Sequence, residues 1–210
     1  MSRISAYESF RARLFSGDLK PGQFVTQREL ADLAGVSLGS AREAIQRLEH
    51  DSLLRVHPQR GIQVADVTIR FIREAFQMRA MIESAAVREY CERGRERAAA
   101  SLEETRAVLA RARSEITPEV LSEAVEVDWR FHDEVVGAMN NGLVEEIYQI
   151  NALRIRLIRA DIRLSPRRVF GALREHIAIL EACAAGDAAT AEAALREHIS
   201  VAMRRSMEGV

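Results

Sequence analysis

Two short helical patterns separated by a glycine turn occupy residues 26–50, which read TQRELADLAGVSLGSAREAIQRLEH. Thr26 and Glu29 have the spacing of a capping box, which predicts the start of the first helix. Gly35 ends that helix, because glycine readily adopts the left-handed conformation that follows a helix, and Ser37 is a favourable N-cap for the next one. The second helix is predicted to bury one face, formed by Ala41, Ile45 and Leu48. A helix, a short turn and another helix are typical of a helix-turn-helix.

The sequence on both sides of this segment completes a small domain. Upstream, a further helical pattern stops at Gly17. Downstream, apolar and polar residues alternate around a turn at residues 58–61, which predicts a two-stranded hairpin over residues 54–64. Helix, helix, turn, helix and hairpin form the order of a winged helix-turn-helix. The alternative is a small α+β domain with no nucleic-acid partner, and the short turn, the serine cap and the adjacent hairpin weigh against it.

The chain from Thr68 onward contains only helical patterns. Thr117 and Ser165 each stand before a proline, the arrangement of an N-cap followed by proline in the first turn. Six helices are predicted, near residues 68–93, 98–114, 118–140, 142–163, 166–184 and 187–207. The fold class is therefore mainly α, with a winged helix-turn-helix at residues 1–67 and an all-α helical bundle at residues 68–210.

Composition excludes several classes of protein. With 48% hydrophobic and 29% charged residues, the chain of 210 residues is ordinary for a folded, water-soluble protein. No apolar run approaches the roughly 20 residues that cross a bilayer, and the N-terminus lacks a secretory signal, so a cytoplasmic location is predicted. Cys91 and Cys183 lack the spacing of a disulfide framework or a thiolate metal site, and both are predicted to be buried.

The nearly balanced charge excludes a strongly basic protein that binds nucleic acid without specificity. The formal net charge is −1, and residues 1–67 carry nine basic against eight acidic side chains. Lys20 is the only lysine among 30 basic residues. Contacts with DNA are therefore expected to depend on where a few arginines lie.

The predicted DNA-contacting residues lie on the helix-turn-helix and at the tip of the hairpin. The start of the second helix faces base edges in the major groove, where Arg42 can make a bidentate contact with guanine and Ser40 can reach a base or a phosphate. Any one arginine alone is better explained as a solvated surface charge, so the prediction depends on their shared location. The predicted set is Arg28, Ser37, Ser40, Arg42 and Arg60, with Arg28 and Arg60 contacting phosphates or the minor groove.

Residues 7–65 resemble the DNA-binding domain of the GntR family of bacterial regulators. The matching features are the turn SGDLKPG, the segments RELA, GVS and AREAIQRLE, and the RG-x-x-V wing. The resemblance implies a sequence-specific transcription regulator that binds a double-stranded DNA operator. Arg28 and Arg42 match the family's DNA-contacting positions. Leu38 stands where family members usually carry an arginine, so one DNA contact is expected to be absent.

Four polar side chains lie on predicted core faces of the C-terminal helices. Asp128 and His132 share one apolar stripe, and His176 and His198 lie on two others. Burying them separately would cost on the order of several kcal/mol unless each found a hydrogen bond. One divalent cation would satisfy all four, and this ligand set suits zinc, nickel, manganese or iron. Spacing alone leaves both alternatives open, a metal site and four separately hydrogen-bonded side chains.

The same region resembles the FCD effector domain of the FadR branch of the GntR family. Three blocks within residues 77–199 carry the resemblance, QMRAMIESAAVREY, DWRFHDEV and LREHIAILEACAAGDAATAEAALREHI. In many FCD domains an aspartate and three histidines bind a metal at the base of a ligand cavity, and the matching residues are Asp128, His132, His176 and His198. The resemblance implies a divalent metal, with zinc as the first choice, an effector of the small-carboxylate type and a homodimer.

Two arginines are candidates for binding the effector. Arg79 lies on an apolar stripe and matches an arginine common in FCD domains. An i, i+4 pair with Glu83 would explain its position without an effector. The alternative is that Arg79 anchors an effector carboxylate near the metal. Arg154, on a later helix, is a second candidate of the same kind.

The predicted mechanism is ligand-controlled DNA binding by a dimer. Two recognition helices would read half-sites of a palindromic operator about one helical turn apart, and the effector would change operator affinity. An enzyme is not predicted, because no clear general base accompanies the candidate metal site. The alternatives are a helical metalloenzyme, a regulator that responds to the metal alone and a structural DNA-binding protein. Turnover of a substrate would identify the metalloenzyme. Operator binding that depends on the metal alone would identify the metal-responsive regulator, and DNA binding that no effector changes would identify the structural protein.

Overall fold

The computed structural model describes residues 5–162 and 165–209 of the chain. Within these ranges the protein forms nine helices and one small sheet. The helices are α1 (Ala6–Ser16), α2 (Gln27–Ala34), α3 (Leu38–His50), α4 (Ile69–Arg93), α5 (Arg95–Ser114), α6 (Pro118–Gly137), α7 (Gly142–Asp161), α8 (Pro166–Ala185) and α9 (Ala188–Met207). The strands are β1 (Phe24–Val25), β2 (Leu54–His57) and β3 (Gly61–Val64). None of the helices in the described ranges is both long and apolar enough to span a membrane.

The chain divides into two compact units. The first unit comprises Met1–Ala75, Ile150–Arg163 and Ser206–Val210, and the second comprises Phe76–Gln149 and Leu164–Arg205. Helices α4, α7 and α9 therefore contribute residues to both units. The predicted domain boundary after residue 67 stays a prediction, because a compact unit groups residues by contact, whereas a domain is defined by its ability to fold alone.

Local signals at the helix ends set the helix-turn-helix. The Thr26 hydroxyl accepts the N–H of Glu29 at 3.1 Å, and the Glu29 carboxylate accepts the N–H of Thr26 at 2.6 Å, so both halves of the predicted capping box are present. Gly35 has a φ of 63°, the left-handed conformation expected where the chain leaves α2. The Ser37 hydroxyl accepts the N–H of Ser40 and caps α3. The winged helix-turn-helix begins as the sequence predicts.

Burial of apolar side chains holds α3 against its neighbours. Each fully buried leucine or phenylalanine side chain contributes about 1.5–3 kcal/mol to the stability of the fold. The amide of Gln27 donates to the carbonyl of Leu38 at 2.8 Å and ties α2 to the start of α3. The fully buried residues of α1 to α3 include Phe10, Leu14, Leu30, Ala41 and Leu48.

The predicted hairpin of β2 and β3 is confirmed, and the structure adds a third strand. Leu54 pairs with Val64 in an antiparallel register, and Val25 of β1 pairs with Ile62 on the other side of β3. The strand order is β1-β3-β2. β1 is missed by the sequence patterns, because two residues are too short to show the alternation that identifies a strand.

Helices α5, α6 and α8 pack together in the second unit. Their shared core consists of Val108, Leu109, Ala124, Val127, Val169, Phe170 and Leu173. Such interiors are close-packed, so the cluster holds α6 and α8 at a defined spacing. Because these two helices carry two of the candidate histidines, the apolar core also positions the polar site.

Two helix ends in the second unit differ from the sequence prediction by three residues. α5 begins at Arg95 rather than near residue 98, because Gly94 alone separates it from α4. A Cβ at Gly94 would lie 2.8 Å from the carbonyl oxygen of Tyr90, so this tight junction requires glycine. α6 ends at Gly137, three residues early, and the chain then turns through Asn140 at a positive φ of 46°.

Candidate functional site

The candidate DNA-contacting residues of the first unit are exposed. Arg28, Arg42 and Arg60 all present charged groups to solvent. Ser37 and Ser40 are exposed at the start of α3, with their hydroxyl oxygens 3.1 Å apart. A groove of about 510 Å³ lies between α3 and the hairpin, and its lining includes Arg42, Gln46, His57 and Gln59. This surface could accept the backbone and base edges of DNA, and the roles of the five predicted residues stay predictions.

Leu38, at the start of α3, occupies a position that is predicted to contact DNA and at which an arginine is usual. Leu38 is 47% exposed, although it is apolar. An exposed leucine can contact a thymine methyl group but cannot donate to a base edge or a phosphate. We therefore expect the start of α3 to read its operator with fewer polar contacts than a chain with arginine at this position.

Three buried histidines converge in the second unit. His132 on α6, His176 on α8 and His198 on α9 each offer a ring nitrogen, and these atoms all lie within 4.8 Å of one another. The Nε2 atoms of His176 and His198 are 3.2 Å apart. Asp128 completes the group, with its Oδ1 3.7 Å from Nε2 of His176. The structure thus brings together all four residues that the sequence singles out as metal ligands.

The spacing of these atoms fits a single metal ion. Zinc–nitrogen bonds of about 2.0–2.1 Å place two nitrogen ligands of the same ion roughly 3.0–3.4 Å apart. The separation between His176 and His198 lies in that range. Nε2 of His132 is buried and has no hydrogen-bond partner among the described residues. An unpartnered buried polar atom costs about 1–3 kcal/mol, which a bound cation would offset.

Carboxylates orient two of the three rings. Nδ1 of His132 donates to Glu83 at 2.8 Å, and Nδ1 of His198 donates to Glu175 at 2.7 Å. An ionised carboxylate only accepts, so these bonds keep the protons on Nδ1 and leave Nε2 for another partner. Metal-binding histidines are usually held by an outer hydrogen bond of this type.

The sequence patterns did not identify Glu175 as a hydrogen-bond partner of a histidine, and they predicted for Glu83 only an ion pair with Arg79. The tripeptide Arg-Glu-His occurs twice, at residues 174–176 and 196–198. It indicates a carboxylate beside each histidine, but Glu175 on α8 bonds to His198 on α9 rather than to its own neighbour. The spacing of residues within one helix cannot show which neighbouring helix supplies the carboxylate that bonds to a given histidine.

A buried ion pair lies behind the histidines. Nε of Arg79 donates to Glu83 at 2.8 Å, with both side chains almost fully buried, so the i, i+4 pair is present. Burial raises the pKa of Glu83, but the Arg79 guanidinium and then His132 outweigh it and hold the pKa at about 2. Nη2 of Arg79 is also buried and has no hydrogen-bond partner in the described part of the chain. The guanidinium thus has an unused donor beside the histidine cluster.

Burial and neighbouring positive charge favour the neutral form of two of the three imidazoles. Burial and then the Arg79 charge lower the pKa of His132 to about 4. Burial, followed by the neighbouring His198 and His132, lowers the pKa of His176 well below its ordinary value. Both rings are therefore neutral near pH 7, and a neutral imidazole is the form that binds a metal.

Arg154 lies in a different environment from Arg79. Nη2 of Arg154 donates to the Ser52 hydroxyl at 2.8 Å, and its guanidinium is 5.9 Å from the Phe71 ring. These residues all belong to the first unit, whereas Arg79 and the histidines belong to the second. The contacts of Arg154 lend its predicted effector role no support, and that role stays a prediction.

Two family models match most of the chain. Residues 4–64 match the model described as "Bacterial regulatory proteins, gntR family", and residues 74–201 match the FCD domain. The first match contains the helix-turn-helix and the hairpin. The second contains Arg79 and all four residues of the candidate metal site. The matches follow the same order as the two domains predicted from the sequence.

Similar proteins are transcriptional regulators. The uncharacterized HTH-type transcriptional regulator YdhC of Bacillus subtilis (strain 168) is 26% identical over 179 residues, covering 85% of this chain and 79% of that protein. A solved GntR protein from Rhodococcus sp. RHA1 aligns with a TM-score of 0.77 and 22% identity over 96% of this chain and 95% of its own. The Zn2+-bound FCD domain of TM0439 aligns with a TM-score of 0.55 and 23% identity over 69% of this chain and 96% of its own.

Proposed function

The chain belongs to the gntR family of bacterial regulatory proteins and carries an FCD domain, and we propose that a small effector bound beside a divalent metal ion controls its affinity for an operator. Its family and its class, a transcriptional regulator rather than an enzyme, confirm the predictions from the sequence. The observation that carries the proposal is the convergence of His132, His176 and His198 within one buried cluster. We assign DNA recognition to residues 1–67, and effector binding and dimerisation to residues 68–210.

The proposed metal ligands are the three histidines and Asp128. Three nitrogens and one oxygen suit zinc, with nickel, manganese and iron as alternatives. A solved relative of the same fold is described as a Zn2+-bound FCD domain, which supports zinc as the first ion to test. The ion supplies a concentrated positive charge in a buried site, and that charge favours an anionic effector. Glu83 and Glu175 hold the rings of His132 and His198 in place for it.

Arg79 is the proposed anchor for the effector. Its Nε is engaged by Glu83, while its buried Nη2 has no hydrogen-bond partner in the described ranges. A carboxylate on the effector would accept from that free donor in a strong charge-assisted bond. The effector class is therefore a small carboxylate that places one end on Arg79 and another near the histidines.

Control of DNA binding requires the effector to distinguish two arrangements of the protein. A ligand shifts such an equilibrium only by its difference in affinity for the two states. In the proposed homodimer, two copies of α3 read the two halves of a palindromic operator, so a change in their spacing alters operator affinity. The effector acts on this spacing through the domain that holds both the site and the dimer contact.

Operator binding tests this proposal. An operator is selected from random DNA with the zinc-loaded protein, and its affinity is measured by fluorescence anisotropy with and without a panel of small carboxylates. We expect one type of carboxylate to change the affinity by about 5- to 150-fold, the usual range of coupling between two sites. Arg79→Lys should lose this response and keep its zinc, because lysine retains the charge beside Glu83 but lacks the forked donor.

The matched control is Arg70→Lys, which changes an exposed arginine on the same helix. It should keep both the operator affinity and the response. An operator affinity that no carboxylate changes would contradict the proposal. An affinity that follows added zinc alone would instead select the regulator whose signal is the metal itself.

Arg42→Ala tests the docking of α3. Loss of a bidentate contact with a guanine should weaken operator binding by about 1–3 kcal/mol and relax discrimination at one base pair. Arg113→Ala, an exposed arginine at the end of α5, serves as the control and should bind normally. Anisotropy against operators with single base changes measures both effects, and an unchanged preference at every position would contradict the assignment.

A further inference from the structure

Cys91 on α4 and Cys183 on α8 meet inside the second unit. Their Sγ atoms lie 2.9 Å apart, although 92 positions separate the residues in the sequence. Both thiols are free and buried, with exposed fractions of 1% and 0%. Sulfurs in a disulfide lie about 2.05 Å apart, so a movement of roughly 1 Å would join them. We propose that this pair is a modification site at which hydrogen peroxide forms an intramolecular disulfide linking α4 to α8.

The location of the pair gives a small oxidant a route to it. Cys91 lies in the last turn of α4, which ends at Arg93, and Cys183 lies in the last turn of α8, which ends at Ala185. Helix ends open locally at a lower free energy than helix centres. Burial raises the pKa of both thiols, so the reactive thiolate is scarce. The reaction is therefore slow, and the pair responds to sustained rather than brief exposure to peroxide.

The oxidation takes place in two steps. One cysteine, deprotonated while its helix end is open, attacks a peroxide oxygen, the O–O bond breaks, and the departing hydroxide takes up a proton to become water. The resulting sulfenic acid is attacked by the other thiol, the S–O bond breaks, and the S–S bond forms with release of a second water. Two thiols and one peroxide thus give one disulfide and two waters, and two electrons pass from sulfur to oxygen.

The disulfide would link α4 and α8, two helices that contribute side chains to the histidine site. Cys91 lies eight residues after Glu83 on α4, and Cys183 lies seven residues after His176 on α8. These spacings place each cysteine about two turns along the same helix face. A covalent link there limits how far α4 and α8 can separate, so zinc release should be slower from the oxidised protein. This consequence rests on the proposed metal site, whereas the disulfide itself does not.

Mass spectrometry of the full-length protein tests the disulfide. Metal-stripped and zinc-loaded samples are treated with excess peroxide, quenched with catalase, and labelled with N-ethylmaleimide in denaturant. We expect a loss of about 2 Da, no maleimide adduct, and a non-reduced digest in which one peptide pair joins Cys91 to Cys183. Dithiothreitol should restore both thiols. Two maleimide adducts after treatment, sulfonic acids without a cross-link, or a link between two chains would overturn the proposal.

Single-cysteine variants provide the control. Cys91→Ala and Cys183→Ala each leave one thiol without its neighbour, so neither should form the intramolecular link. The cross-linked parent protein should also unfold at a higher temperature than the reduced one, because the link restricts the unfolded chain. Equal zinc release from the two forms would overturn the coupling to the histidine site. A cross-link in protein that fails to bind zinc would refute the proposed metal site and leave the cysteine site intact.

Discussion

His176→Ala protein is expected to lose stoichiometric zinc binding, whereas His50→Ala protein is expected to keep it. His176 occupies the centre of the cluster, with its Nε2 3.2 Å from Nε2 of His198 and 3.7 Å from Oδ1 of Asp128. Removing an outer hydrogen-bond partner already weakens metal binding by about 10- to 100-fold, so the loss of a ligand should exceed about 100-fold. Competition against a chromophoric chelator measures the affinity on protein that has been stripped and reloaded.

Two controls separate the loss of a ligand from damage to the fold. His50 lies on α3 with its side chain 73% exposed, so its removal tests for nonspecific binding by histidine. His176→Gln keeps much of the buried volume but does not supply an imidazole nitrogen, and it should resemble the alanine variant in zinc affinity. Circular dichroism confirms that each variant is folded. An unchanged zinc affinity in both His176 variants would contradict the ligand assignment.

Arg79→Met protein is expected to lose about 3–5 kcal/mol of its free energy of unfolding, because the Glu83 carboxylate is left in the core without its guanidinium partner. The side chains of this pair are 5% and 0% exposed, and they lie 2.8 Å apart. Glu83 retains its bond with His132, but a neutral imidazole compensates a carboxylate less well than a guanidinium does. Urea unfolding followed by circular dichroism measures the change.

The matched control lies on the same helix. Arg70 and Glu74 form an i, i+4 pair of the same spacing, but their side chains are 79% and 49% exposed. Arg70→Met should therefore cost less than about 1 kcal/mol. The double variant Arg79→Met/Glu83→Gln should recover part of the loss, because it removes the uncompensated charge. Equal losses in Arg70→Met and Arg79→Met would show that the buried pair has no special weight.

The winged helix-turn-helix could be predicted because its signals are local. Thr26 and Glu29 interact within one turn, and Gly35 sets its own backbone conformation. Such signals need no knowledge of the rest of the chain. β1 could not be found in this way, since the pairing of Val25 with Ile62 joins positions far apart in the sequence. A strand of two residues is too short to show the alternation of apolar and polar side chains that predicts a strand.

The metal-ligand candidates could also be predicted, because helical periodicity determines which face a residue occupies. Asp128 and His132 lie on the core face of α6, as their spacing indicates, and both are buried. The outer partners could not be predicted, since the bond between Glu175 and His198 depends on how α8 and α9 are aligned against each other. Periodicity within a single helix contains no information about that alignment.

The two cysteines illustrate the same limit. Each lies on the apolar face of its helix, so the sequence predicts burial, and burial is observed. Their contact depends on how α4 and α8 are aligned along each other, and the spacing within either helix contains no information about that alignment. Contacts between distant helices therefore account for most of what the sequence patterns miss: the outer carboxylates and the cysteine pair.

X-ray absorption spectroscopy of the zinc-loaded protein tests the central claim most directly, because it reports the atoms that surround the ion. The arrangement of His132, His176 and His198 predicts one zinc per chain with three imidazole nitrogens at about 2.0–2.1 Å and oxygen completing the shell. The same spectrum recorded on His176→Ala should lose an imidazole or the metal altogether. A shell of oxygens alone, or one containing sulfur, would show that these histidines do not hold the ion.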